Sequence, residues 1–429
     1  MTESIPSFDK ALCIPLKAWP SQFWFKENMG MRAYYGIYTF CRFDRLFFLS
    51  ALILFLLIPS FAMAEEQEEL FPGFIPSLKV GVNSDDNIYR SPLDKNSDTI
   101  ITASPSLSLL ALYGKHSFKG SYKGDYGQFQ EYSDENYWDH KAAIGIDLDL
   151  SRIVSVKVEG EYLSGHELRG YSGTRTKMDS KPDTVLQDWI SGQITIGRRE
   201  NTLQFVLTAE GLNRQYTNND QESRDRKRSD AKLMMYYNLS NKTSLLVEAS
   251  TAKIEFVNPA IVDLDSQETS LRIGIKWEAT AMTRGQILVG QITKTLDDPE
   301  LDSFSGLGVT GVIHWQPKDR IRLSMVLTRA TAETAEIGSS YYVTSRSLLM
   351  VDYDYSDRLE VGAYIDYQND KFSNIREDSL EYIGAQANYS LARWLTMNMR
   401  YRYESRSSNI DDYTYKANIV AIALVMEAM

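Results

Sequence analysis

The 429-residue chain holds only four histidines, His116, His140, His166 and His314, and they bound any acid–base or nucleophilic chemistry it could perform. A surface hydrolase needs a histidine-type base beside a nucleophile or carboxylate. His140 follows Asp139 and His166 lies two residues after Ser164, so these are the two candidates, and a histidine at a polar rim is the plainer reading of both. No G-x-S-x-G, H-E-x-x-H or glycine-rich phosphate loop occurs. The acidic groups Asp85 and Asp86, Asp263 and Asp265, and Asp297, Asp298, Glu300 and Asp302 offer oxygen ligands, but their spacing is not that of a calcium loop. They read as solvated charge. No catalytic residue, metal site or cofactor is expected. With 57 acidic against 46 basic residues and a net charge of −11, nucleic acid is not an expected partner either.

The elements that would hold any site are strands. After residue 74 the chain falls into period-2 segments of about ten residues, the mark of half-buried β-strands. Ala142, Ile144, Ile146, Leu148 and Leu150 share one face, with Ala143, Gly145, Asp147 and Asp149 on the other. Leu271, Ile273, Ile275 and Trp277 likewise alternate with Arg272, Gly274, Lys276 and Glu278. Short turns near 114–116, 151–152, 198–201, 240–243, 280–283, 317–320, 356–358 and 392–394 alternate without a break with longer polar loops near 91–98, 130–139, 164–183, 217–226, 257–267, 297–306, 332–340, 371–378 and 406–412. The expected fold is all-β, a transmembrane antiparallel β-barrel of the outer-membrane type with about 18 strands. Weak alternation in the sixth, ninth and eleventh leaves 16 open. Closure satisfies every backbone group in lipid, which lets so polar a chain cross a membrane.

Aromatic residues fall at both strand ends. Tyr113, Tyr237, Trp277, Trp315, Tyr355, Tyr389 and Trp394 flank short turns, while Tyr126, Tyr162, Tyr341, Tyr367, Tyr403 and Tyr415 flank long loops, as two interfacial girdles would. Pro76 and Pro105 fall inside strands and imply a bulge or an end there.

The apolar run Leu46–Ile58, with Arg32, Arg42 and Arg45 before it and Ala62-Met63-Ala64 after it, reads as a signal peptide cleaved before Glu65. Residues 1–64 would then be leader, including an upstream start extension, 65–73 a short acidic periplasmic segment, and 74–429 the barrel. Cleavage removes six Lys/Arg and four Asp/Glu, leaving a net −13, and it removes both cysteines, Cys13 and Cys41.

The phase opposite the lipid face assigns the lumen. Its candidate lining residues are Lys119, Lys123, Lys157, Glu159, Arg272, Lys276, Arg322, Arg346, Asp352, Asp366, Arg400 and Arg402, with Glu161, Lys232 and Glu248 in the same phase. Tyr236, Tyr364 and Tyr382 share it and offer faces on which sugars could stack. Charges in this position either tune what passes or pair with one another.

The stretch VNSDDNIYR (82–90), then SDTIITASPSLSL, YKGDYGQF and DENYWDH, resembles the beta-barrel porin type 2 family, whose members are often encoded in exopolysaccharide biosynthesis clusters. The resemblance implies a location in the outer membrane of a Gram-negative bacterium and a role in passing an exported polysaccharide. It supplies no catalytic residues. The expected function is a passive, non-enzymatic conduit for an exopolysaccharide, anionic by the lumen's basic residues. Expected partners are outer-membrane lipid and lipopolysaccharide, with periplasmic export proteins. A general or small-solute porin and a plugged structural or enzymatic barrel are the alternatives. A TonB-dependent transporter would need a plug domain and ~22 strands, for which the chain is too short.

Overall fold

The computed structural model describes residues 73–428 apart from 171–180, 259–261, 281, 335, 337 and 374–375. The expected leader, residues 1–64, and the acidic segment after it, as far as residue 72, lie outside the described residues.

Eighteen strands follow one another: β1 (Gly73–Asp85), β2 (Asp98–Tyr113), β3 (His116–Phe129), β4 (Tyr137–Asp149), β5 (Val154–His166), β6 (Thr184–Ile196), β7 (Leu203–Tyr216), β8 (Arg226–Ser240), β9 (Thr243–Phe256), β10 (Ser266–Thr280), β11 (Thr283–Leu296), β12 (Phe304–Lys318), β13 (Ile321–Ala332), β14 (Tyr342–Ser356), β15 (Leu359–Phe372), β16 (Glu377–Ala392), β17 (Leu395–Ser408) and β18 (Tyr415–Glu427). Each pairs antiparallel with its sequence neighbours. β1 pairs with β18, with Val80 opposite Leu424, so the sheet closes and no edge remains. The count is 18, not 16.

Alternation follows from the two solvents the wall meets. Ile144, Ile190, Leu271 and Ile273 point outward and are more than 60% exposed to their surroundings, a poor arrangement in water but the one a lipid face requires. β9 and β11 alternate weakly because their inward phase is itself partly apolar. Leu246 of β9 and Leu288 of β11 pack with Met234 of β8 inside the barrel, against Val206 and Tyr236. On this side the inner face carries an apolar ridge among its polar residues.

The expected bulge or strand end occurs at neither proline: Pro76 stands opposite Leu107 and Pro105 opposite Leu78 with no shift of register. The β2–β3 ladder pairs Ala103 with Tyr126 and resumes only at Ser106 with Lys123, so Pro105 marks the gap. Pro76 stands near the start of β1, where its carbonyl accepts from the Ala428 N–H at 3.1 Å. Trp277, Trp315, Tyr355 and Trp394 face outward beside short turns, and Tyr162, Tyr367 and Tyr401 face outward toward the other end. Tyr415 does not join that girdle. It lies in the inward phase opposite Arg406 and is buried, because β18 pairs in the register that turns Asn418, Val420 and Ile422 outward.

Candidate functional site: the lumen wall and its outer mouth

Register brings most of the inward charges into pairs. Lys119 meets Asp147 at 2.8 Å, Lys157 meets Glu159 at 3.2 Å, and Lys123 meets Asp125. Arg272 donates to Glu248 and, at 2.8 Å, to Thr310. Arg346 donates to Asp366 at 2.8 Å, Arg322 to Glu360 at 2.7 Å and to Asp354, and Arg402 to Glu404. Asp352 is bonded to Gln386. All twelve sequence-assigned residues lie in the inward phase, and nine of them are held by an opposite charge.

Four inward cations differ, and the reason is their neighbours. Arg400 lies between Gln386 and Ala421, Lys276 between Ser244 and Gln286, Lys232 between Thr208 and Ser250, and Lys79 between Val425 and Ser104. None has a carboxylate directly across the ladder, and none forms an ion pair among the described residues. Lys276 instead sits 5.9 Å from the ring centre of Tyr236. Lys79 is the one the sequence reading missed, although it shares the phase of Asn83 and Asp85.

The three inward tyrosines differ from one another. Tyr364 of β15 lies against Gly384 of β16, where an added Cβ would come within 2.2 Å of its ring, so glycine is required for the ring to lie on the wall. Tyr236 packs on the apolar ridge. Tyr382 is hydrogen-bonded to Tyr415, which fixes its hydroxyl.

Two loops fold over the outer mouth. In the loop after β5, Glu167 accepts from Tyr216 and Arg224, each at 2.7 Å. Arg169 donates to Glu135 at 2.8 Å and stacks 4.7 Å over Tyr89. The Gly170 carbonyl accepts from Arg406 at 3.3 Å and from Tyr415 at 3.4 Å. This loop therefore reaches from β5 to the inner face of β17 and β18. A Cβ at Gly170 would fall 2.7 Å from the Tyr415 hydroxyl. The loop between β13 and β14 is anchored on two sides. Glu333 takes Lys294 of β11 at 2.8 Å, while Glu336 takes Arg376 and the Tyr413 hydroxyl. Arg376 also meets Asp378 at 2.8 Å and stacks on Tyr413 at 3.5 Å. Sequence spacing placed these segments in loops, but their inward fold depends on contacts between residues far apart in the chain.

Charge states at the mouth follow from burial and pairing. Burial raises the Asp183 carboxyl, with Asn219 and Arg224 opposing. Burial would lower the Arg90 guanidinium, but Glu404 and Asp85 carry it above its usual range.

The histidines are spread apart. His140 faces outward, bonded to Tyr122 at 2.9 Å and beside Trp138. His166 is buried, 3.1 Å from Asp139 and stacked near Tyr137. His314 bonds Ser324 at 2.9 Å, and His116 accepts from the Asp149 N–H at 3.2 Å beside a short turn. Among the described residues no three His, Cys, Asp or Glu side chains are grouped to hold a metal. In the acidic loop groups Asp85 takes Arg90, Asp86 takes Asn418 and Asp265 accepts from the Phe256 N–H.

The barrel is thus a closed 18-strand wall with a charged interior. The family described as "Putative beta-barrel porin 2" matches residues 73–428. The chain belongs to this family. It is an outer-membrane β-barrel porin. Among solved structures the porin is similar to a BenF-like porin from Pseudomonas fluorescens Pf-5, at 10% identity and TM-score 0.47, over 82% of this chain and 98% of that one. It is similar to Pseudomonas aeruginosa OpdK, solved with vanillate, at 9% identity and TM-score 0.46 over the same shares. The FrpB iron transporter from Neisseria meningitidis (F3-3 variant) matches at 11% identity and TM-score 0.44, over 79% of this chain and 63% of that one. The porin thus spans less than two thirds of the FrpB chain. No curated protein matches it.

Proposed function

We propose that this porin is a passive, water-filled conduit that carries an exopolysaccharide outward across the outer membrane. The observation that carries the reading is the lumen wall: rows of hydrogen-bonding groups, most of their charges already paired, with the ring of Tyr364 against Gly384 among them. Such a wall offers a hydroxyl-rich chain many weak contacts and few strong ones, so the chain can bind and move on. Barrels of 16–18 strands leave an aqueous channel wide enough for this. The function requires no bond-breaking step. Energy and chain length come from inner-membrane and periplasmic partners, and the outward aromatic rings sit among lipid and lipopolysaccharide. The leader of residues 1–64 delivers the chain for export and is cleaved before Glu65.

Deletion of the gene in a polysaccharide-producing host should abolish surface polysaccharide while material accumulates in the periplasm, and the gene supplied in trans should restore secretion. Unchanged secretion would reject the conduit. The second reading, a small-solute porin, draws on the two loops at the mouth, whose Gly170 and Glu336 are tied to Arg406 and Arg376. It predicts normal secretion and slowed uptake of small nutrients in the same strain.

A further inference from the structure

We infer that Tyr364 and Arg400 form a lumen subsite that reads a carboxylated sugar unit, so that the transported glycan carries uronic-acid-type residues. The inference rests on the conduit reading and adds the chemistry of the cargo.

Tyr364 gives the platform. Its ring rests against Gly384 in the inward phase and stays partly exposed there. Arg402 of β17 stands across Gly384 from Tyr364, and Arg400 is the next inward residue of that strand. Arg402 is committed to Glu404. Arg400 is not committed, because its ladder partners are Gln386 and Ala421. The result is a ring bordered on one side by a cation that forms no ion pair among the described residues.

That layout fits one ligand chemistry. A pyranose on an aromatic face projects the carboxylate of a uronic acid from the ring edge. A guanidinium meets a carboxylate through two parallel N–H···O bonds, which an ammonium cannot do. A neutral sugar would use the platform and leave Arg400 unpaired. The guanidinium keeps its proton, no bond is made or broken, and the contact is remade as each unit passes.

The test is block of single-channel current through the full-length porin, refolded in a planar bilayer, by a hexamer of a uronic acid and by a neutral glucose hexamer. The expected result is that the uronate hexamer blocks at a lower concentration. Arg400→Gln should raise its half-blocking concentration about tenfold, as loss of a charge-assisted pair implies, and leave the neutral hexamer unchanged. Tyr364→Leu should weaken both. Arg400→Lys should restore only part of the uronate effect, separating a bidentate contact from simple charge. Heat-modifiable migration confirms that each variant folds. If both hexamers block the wild-type pore equally and Arg400→Gln alters neither, the subsite is overturned while the glycan conduit stands. If chloride passes but neither hexamer blocks, the conduit reading falls and the subsite with it.

Discussion

At the scale of single residues, phase was legible and partnership was not. Alternation alone turned Lys119, Arg272, Arg346 and Arg400 to one side, because a strand has a fixed period of two. Which of them would be neutralised depends on register between strands. Glu248 stands opposite Arg272, whereas Gln386 and Ala421 flank Arg400, and no short-range pattern encodes that difference. Lys123–Asp125, Lys157–Glu159 and Arg402–Glu404, each two residues apart on one face, are exceptions that could have been read directly. Arg376 was missed because it lies in what the sequence presents only as a polar loop. It is fully buried between Asp378, Glu336 and the Tyr413 ring. Removing one member of a buried ion network leaves the others uncompensated, at a cost of about 3–5 kcal/mol. Arg376→Met should therefore lower the temperature at which the folded form converts on a heat-modifiability gel. Arg358→Met, at an exposed turn, should leave it unchanged, and equal behaviour of the two would remove the network from the account.

Among the elements, strand number and loop order were readable, since turn length and alternation are local. The apolar ridge was not. Leu246 and Leu288 look like lapses in alternation when each strand is read alone, and become a packed cluster only once β8, β9 and β11 are side by side. The inward fold of the 333–341 loop also depends on distant contacts, and it carries a pH prediction. Burial alone would raise the Glu333 carboxyl, but Lys294, with Arg226 and Arg228, holds it below its ordinary value. A carboxyl depressed on folding adds stability that is present above its unfolded value, about 4.3, and lost as pH falls through the lower folded value. The loop should thus stay docked from neutral pH to about 4.3 and loosen below it, as followed by hydrogen exchange of its amides. Glu333→Gln leaves Lys294 buried without its anion and should loosen the loop already at pH 7. Identical exchange in the two proteins at pH 7 would contradict the anchoring role.

For the whole molecule, the ends differ in sign. Lys115, Arg152, Lys242, Arg320, Arg358 and Arg393 stand exposed at the short-turn end, while the long loops carry Asp263, Asp297, Asp298, Glu300, Asp411 and Asp412. In an acidic chain this axial separation means that the periplasmic entrance attracts anions and the external loops repel them, an effect that fades as salt screens it. The most direct test of the central claim, a water-filled outward conduit, is single-channel recording of the refolded porin at low and high salt. The account predicts discrete open steps, with current that depends on the sign of the voltage at about 0.01 M salt and loses that asymmetry at about 1 M, where the Debye length falls to about 3 Å. A barrel that is folded by heat-modifiability yet silent at every voltage would contradict it.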